Sequence, residues 1–139
     1  MSKAVRLAIA IAGMPVVLAA CATTSTVTQA PVAEGTTRAF AADYASVKLA
    51  AFQAVERLNV KMKGADETED RYQIQFEKKV SVFSWGEVGV VNVLPEDDGK
   101  TLVVVNTTKR AKAQLTGTSE DEFAEKIFAY VAEGLTTVN

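Results

Sequence analysis

The residue types that most often carry chemistry are sparse in this chain. Its 139 residues include no histidine and a single cysteine, Cys21. The lack of histidine removes the commonest general base and the commonest metal ligand. One cysteine excludes an intrachain disulfide and a thiolate cluster that could hold zinc. The Cys21 sulfur is therefore the group whose place in the sequence points most directly to a modification.

A serine nucleophile would need a base other than histidine. Ser81 and Ser84 lie close in sequence to Lys78, so a Ser–Lys dyad is formally possible. A solvated strand edge explains the same residues without any chemistry. We take the strand edge as the prediction and keep the dyad as the alternative.

Two clusters of charge lie near the predicted strands. The acidic residues 96–98 precede Gly99 and predict a turn, with a calcium site as the alternative, although calcium needs six or more oxygen ligands. Lys109, Arg110 and Lys112 follow the last predicted strand and are interpreted as its soluble end. Contact with anionic lipid or peptidoglycan is the alternative for this basic group.

The first 20 residues have the pattern of an export signal. Lys3 and Arg6 are the only charges in this segment, and residues 7–17 form an apolar stretch. That stretch is too short to span a membrane as a helix, which takes about 20 apolar residues. Removal of the segment leaves the rest of the chain more acidic than the net charge of −2 of the whole. An acidic domain has no bulk attraction for nucleic acid, so no nucleic-acid partner is expected.

The end of this segment resembles the lipobox of bacterial lipoproteins. In that motif an aliphatic residue and two small residues precede a cysteine, as they do here in Leu18, Ala19, Ala20 and Cys21. The resemblance implies cleavage between Ala20 and Cys21 and acyl chains such as palmitate on Cys21, which anchor the protein to a membrane. Ala22, in place of Asp, implies the periplasmic face of the outer membrane. An incidental thiol beside an ordinary Ala-x-Ala cleavage site is the alternative.

A tether and one folded domain are expected after the signal. Residues 21–38 are rich in Thr, Ala and Ser and lack apolar periodicity, which predicts a lipidated N-terminus and a flexible tether. Residues 39–139 are predicted to form one globular domain. Its first helix is indicated by apolar residues at helical spacing, with Leu49 and Phe52 off the stripe. The stripe consists of Phe40, Tyr44, Val47, Ala51, Val55 and Leu58.

Alternating apolar and polar residues predict strands in the middle of the domain. Residues 60–63 predict a short strand closed by a turn at 64–66. Residues 71–76 alternate, with Tyr72, Ile74 and Phe76 on one face, which is typical of a strand solvated on its other face. Residues 88–94 and 100–107 flank a five-residue loop and predict a β-hairpin.

A second helix is predicted at the end of the chain. Ser119 and Glu122 form a capping-box pattern, and Gly134 is a candidate terminator. The predicted buried stripe is Phe123, Ile127, Val131 and Leu135. With three or four antiparallel strands between two helices, in the order α-β-β-β-β-α, the expected fold is an α+β two-layer sandwich with both helices on one face.

This arrangement, together with the lipobox, resembles small bacterial lipoproteins grouped as domains of unknown function. They combine a helix, an antiparallel meander and a closing amphipathic helix. The resemblance covers about residues 40–131 and rests on the pattern and on two segments, Ser84-Trp85-Gly86 and residues 119–127. It implies the fold and the location, and it brings no catalytic residue to this chain.

The predicted hairpin is hydrophobic on both faces. Val88 and Val90 share one face, and the other face holds Val91, Val93, Val103 and Val105. If the helices cover the first face, the second needs another cover. The hypothesis is that this second face, extended by Phe83 and Trp85, contacts a partner protein or a second copy. Shielding by linker or loop residues is the alternative.

The function expected from these features is a non-catalytic envelope lipoprotein that binds or scaffolds another envelope component. The alternative is a periplasmic domain that binds a small apolar or lipid ligand between the sheet and the helices, and an enzyme is the third hypothesis. No cofactor and no metal site are expected.

Overall fold

The computed structural model describes residues 32–78, 87–109 and 120–137. A 3-10 turn at Val32–Glu34 leads into the first strand and the first helix, and four more strands and a second helix follow. The elements are β1 (Thr36–Phe40), α1 (Tyr44–Arg57), β2 (Lys61–Glu67), β3 (Tyr72–Lys78), β4 (Glu87–Pro95), β5 (Thr101–Lys109) and α2 (Glu120–Thr137).

The strands form one antiparallel sheet in the order β1-β5-β4-β3-β2. With its two helices the domain is α+β, as predicted. The sheet has five strands, so the prediction of three to four was too low. The missing strand is β1, which begins inside the segment predicted as a tether. It is held by pairing with β5, from Thr36 opposite Val105 to Phe40 opposite Thr101, and local sequence patterns do not contain that information.

Helix α1 begins later than predicted because Asp43 caps it. The Asp43 Oδ1 atom accepts the backbone N–H of Ser46 at 3.0 Å, so the first helical residue is Tyr44. The predicted stripe is otherwise confirmed, since Val47, Ala51 and Val55 are buried. Phe40 reaches the same core from β1 instead of from the helix.

Helix α2 buries the stripe predicted for it. Phe123, Ile127 and Val131 all lie in the core. The prediction that Gly134 ends the helix was wrong, because α2 continues to Thr137. Gly134 instead faces α1, where an added Cβ would lie 3.2 Å from the Cβ of Ala50. The missing side chain lets the two helices approach closely.

Strand β2 runs through the turn that was predicted at residues 64–66. It pairs with β3 from Lys61 to Glu67, and the pairing register shifts between Met62 and Gly64, which marks a β-bulge. The β4–β5 hairpin is confirmed. Its loop is closed by a hydrogen bond from the Gly99 N–H to the Glu96 carbonyl at 3.2 Å, and Gly99 has a φ of +76°.

The main core lies between one face of the sheet and the two helices. The sheet contributes Ile74, Phe76, Val91, Val93, Val103 and Val105 to this core. Gly89 lies beneath Phe76, where a Cβ would fall 2.2 Å from the Phe76 Cζ atom. Within the described ranges, neither helix is long and apolar enough to cross a membrane.

Candidate functional site

The surface predicted to contact a partner lies in the core. Val91, Val93 and Val103 have no exposed surface, and Val105 is 3% exposed. The hypothesis placed the helices on the face of Val88, whereas they cover the opposite face. Alternation shows which residues share a face but not which face receives the helices, so the assignment was reversed. Four further predicted residues, Ala20, Cys21, Phe83 and Trp85, lie outside the described residues.

The other face of the central strands is also buried. Val88 and Val90 have no exposed surface and form a small cluster separate from the main core. Gly35 contributes to the cover, since a Cβ on it would fall 2.6 Å from Val104 Cγ1 and 2.7 Å from Asn106 Oδ1. A residue from the predicted tether thus packs on this face. The shielding alternative placed such a cover on the face of Val91 and Val103, which the helices occupy instead.

Polar side chains share this second face with the valines. Gln73 and Asn92 are buried, and the Gln73 Nε2 donates to the Asn92 Oδ1 at 3.0 Å. The Gln75 Nε2 donates to the Gln73 Oε1 at 3.4 Å and extends the row. The burial of Gln73 corrects the prediction that this face of β3 is solvated. Asn106 Oδ1 is buried without a hydrogen-bond partner.

The clearest apolar surface among the described residues lies on the solvent side of the helices. Leu49 is 51% exposed there. It borders a shallow groove of about 230 Å³ between α1 and the C-terminal part of α2. The lining residues are Ala45, Ser46, Leu49, Ala50, Gln53 and Gly134, and none of them is charged. The off-stripe position of Leu49 was the signal that indicated this surface, whereas Phe52 packs against the core.

A buried charge at one end of the sheet was not predicted from the sequence. Glu87 is 2% exposed, and its Oε2 lies 3.4 Å from the Lys78 Nζ. Neither carboxylate oxygen of Glu87 has a hydrogen bond, and the buried Thr107 Oγ1 also has none. Alternation places Glu87 on the same face as Val91 and Val93, but it does not show that the helices cover this face.

The described residues include only the lysine of the hypothetical Ser–Lys dyad. That lysine, Lys78, forms an ion pair with the Glu87 carboxylate, and Ser81 and Ser84 lie outside the described residues. We therefore assign the pair to the structure of the sheet end.

A second ionic cluster joins α1 to the edge of the sheet. The Lys48 Nζ lies 2.9 Å from both carboxylate oxygens of Glu67, and the Tyr44 hydroxyl donates to Glu67 Oε1 at 3.1 Å. The Lys48 ammonium is also 5.6 Å from the ring centroids of Tyr44 and Tyr72. Rings and carboxylate thus surround the cation on several sides.

The pKa values in this cluster follow from its contacts. The hydrogen bond from Lys48 lowers the pKa of Glu67, and that from Tyr44 adds to the effect. Burial raises the pKa of Tyr44 to about 12, assisted by the hydrogen bond to Glu67. Burial also raises the pKa of Tyr72. At neutral pH the cluster is therefore a fixed set of charges that holds α1 against β2.

The predicted turn at residues 96–98 is observed, and its carboxylates serve the turn. The Asp98 Oδ1 accepts the backbone N–H of Lys100 at 3.1 Å. Hydrogen bonds from Lys100 lower the pKa of Asp98. In the part of the chain that the structure describes, no three His, Cys, Asp or Glu side chains are grouped to hold a metal ion. Of the predicted basic group, Lys109 ends β5, and Arg110 and Lys112 lie outside the described residues.

Comparisons with known proteins add no relative. No protein-family model matches the chain, and no curated protein matches it. The resemblance to small bacterial lipoproteins therefore stays a prediction from the sequence.

Proposed function

We propose that this chain is a lipid-anchored, non-catalytic module that binds or scaffolds another component of the cell envelope. Two features support the proposal: the lipobox-like motif that ends at Cys21, and the uncharged groove beside Leu49. The expected location is the periplasmic face of the outer membrane. This expectation rests on Ala22, which follows the cysteine. The groove is the observation that carries the binding role.

The groove has the character of a contact surface. Leu49 is a large apolar side chain left half in solvent, and single exposed apolar residues are common on proteins. Here, however, it borders a concave surface floored by Ala50 and Gly134, whose small size leaves the space open. The cores of protein interfaces are depleted of charged residues, and so is this lining. The partner that fits is a protein segment that inserts an apolar side chain next to Leu49.

The alternative ligand, a small apolar or lipid molecule between sheet and helices, calls for space in the core. The described core side chains from α1, α2 and the sheet are almost entirely buried against one another. Protein interiors with such packing leave few voids larger than a water molecule. The described core therefore gives no support to this alternative.

The binding role is tested by site-specific photo-crosslinking in living cells. A photo-reactive amino acid replaces Gln53, which lines the groove, and in a matched control it replaces Glu56, which is exposed on α1 outside the groove. We expect a discrete crosslinked product from position 53 and none from position 56. Adding Leu49→Glu should abolish the product with little loss of stability, because surface substitutions usually change stability by less than about 0.5 kcal/mol.

The proposal fails if position 53 gives no product, or if the product survives Leu49→Glu. Equal products from positions 53 and 56 would show that the crosslinks report crowding at the membrane instead of a bound partner.

A further inference from the structure

The two edges of the sheet differ in how they are protected. Strand β2 forms one edge, and it carries a bulge between Met62 and Gly64. It also has charged side chains at Lys61 and Lys63, and the Lys63 Nζ lies 3.4 Å from a carboxylate oxygen of Glu77. Bulges and lysines on an edge strand are the usual devices that stop another strand from pairing with it. Strand β2 is therefore protected against pairing with another strand.

Strand β1 forms the other edge and lacks these devices. Its five residues pair with β5 in continuous register without a bulge. Thr37, Arg38 and Ala39 are exposed. The one charge on the strand, Arg38, is turned toward α2, where its Nη2 donates to both carboxylate oxygens of Glu125 at 3.0 and 2.9 Å.

The position of Arg38 is fixed by more than that ion pair. Its guanidinium carbon lies 4.7 Å from the ring centroid of Phe128 on α2. A guanidinium held over an aromatic face and paired with a carboxylate stays with the helix. The edge of β1 is left with small side chains, Thr37 and Ala39, on the face away from the helices. Such an edge can accept another strand through main-chain hydrogen bonds.

We propose that β1 pairs antiparallel with β1 of a second copy of this chain, which joins the two sheets into one. Antiparallel pairing of a strand with itself is the self-complementary contact that a two-fold dimer requires. Thr37 and Ala39 of one copy then lie beside the same residues of the other copy. Their small size allows the strands to approach.

The tether favours a second copy over an unrelated strand. The predicted acyl anchor leads through residues 22–31 to the 3-10 turn at Val32–Glu34 and then into β1, and ten residues extend at most about 36 Å. In the antiparallel pair the two β1 strands start at opposite ends, about 17 Å apart, so both tethers reach one membrane. Anchoring on one surface raises the effective concentration of the copies. The preference for a second copy rests on the proposed lipid anchor, whereas the exposure of the β1 edge does not.

A pair of five-residue strands is a small contact. Stable interfaces usually bury about 800 Å² on each partner, so we expect a weak dimer that forms at the membrane. The test must therefore use the full-length anchored protein in isolated envelope membranes. Disulfide formation under mild oxidation is a suitable readout, because facing Cβ atoms on antiparallel strands are about 4.5–5.5 Å apart.

The experiment compares cysteines at the two edges. Thr37→Cys and Ala39→Cys are tested singly and co-expressed, so that the antiparallel registers in which these positions face themselves or each other are sampled. Lys63→Cys on the protected edge strand β2 is the matched control. We expect a disulfide-linked dimer in at least one of the first three samples, with at least tenfold less from Lys63→Cys.

Proline provides a second test of the same contact. Successive backbone N–H groups of a strand point in opposite directions. One of the two substitutions Thr37→Pro and Arg38→Pro therefore removes an N–H that points outward and keeps the hydrogen bonds to β5. Each proline is combined with the crosslinking cysteine at position 39, and the variant that keeps the hydrogen bonds to β5 should fold and lose the dimer.

The outcomes separate this proposal from the anchor. No dimer from positions 37 and 39, or as much dimer from position 63, overturns the β1 contact. A crosslinked product whose mass differs from that of a dimer would show that β1 pairs with a strand of another protein and not with a second copy. The unsubstituted protein must give no dimer, since acylation blocks its cysteine, and a dimer through Cys21 would instead refute the proposed function.

Discussion

Glu67 shows how single charged residues hold this domain together. Its carboxylate, on β2, accepts hydrogen bonds from Lys48 and Tyr44, both on α1. The same arrangement recurs between other elements, as in the ion pairs from Arg38 to Glu125 and from Arg57 to Glu133. Such exposed pairs contribute little each, and their main effect is to set the positions of the helices relative to the sheet and to each other.

The Glu67 cluster predicts a dependence of stability on pH. The folded pKa of Glu67 is lowered below its ordinary value of 4.5. Its contribution to stability is therefore present above about pH 4.5 and is lost as the pH falls through the folded pKa. Denaturant unfolding from pH 7 to pH 2 should show that the stability difference between the unsubstituted protein and Glu67→Gln narrows below about pH 4. A difference that stays constant over this range would contradict the role assigned to the carboxylate.

At the scale of elements, the β4–β5 hairpin is the centre of the domain. Its two strands are neighbours in the middle of the sheet, and their valines pack on both faces. Val103 and Val105 were predicted to contact a partner, and they instead pack under the helices. Their substitution is therefore a test of folding and not of binding.

The prediction for this element concerns Val103→Thr and Val105→Thr. Each substitution places a hydroxyl in the apolar core, which costs about 1–3 kcal/mol when no hydrogen bond compensates. Urea unfolding followed by circular dichroism should show this loss for each variant. Val60→Thr, at a half-buried position, is the control and should lose less. If both core variants were as stable to urea as the unsubstituted protein, these valines would not contribute to the stability of the core.

The helices and the hairpin could be predicted from the sequence because their signals are local. The stripe of Phe123, Ile127 and Val131 repeats at helical spacing, and Pro95 and Gly99 bracket a turn. Strand β1 could not be predicted, since Thr36–Phe40 is held by partners on β5, far away in the chain. The predicted partner surface failed for a related reason, because alternation does not say which face the helices will cover. Leu49 was indicated only by its position off the helical stripe.

The molecule as a whole is proposed to be a folded domain held near a membrane by its N-terminus. Acyl chains contribute about 0.8 kcal/mol for each buried methylene, so two or three chains anchor stably. In that arrangement the groove beside Leu49 and the edge of β1 are presented to the surrounding aqueous compartment. The anchor and the two surfaces make separate predictions, and the anchor can be tested by itself.

The anchor is tested by Cys21→Ser. Mass spectrometry of the N-terminal peptide should find acyl chains on the unsubstituted protein and none on the variant, and the variant should leave the membrane fraction. Ala22→Asp is the matched control, because it keeps the cysteine and should change only which membrane the protein enters. If no lipid mass is found on Cys21 and fractionation is the same for all three proteins, the chain is not a lipoprotein.

The place of β1 in the sheet also has a consequence for biogenesis. In the export proposed above, the chain crosses the membrane from its N-terminus and β1 arrives before the other strands, yet the pairing partner of Thr36 is Val105. The sheet cannot be completed until nearly the whole polypeptide has been translocated, and contacts between distant segments also form slowly. Until then Phe40 has no core to enter. If the protein is exported as proposed, a chain interrupted before β5 would therefore leave the sheet incomplete and become a substrate for envelope proteases and chaperones.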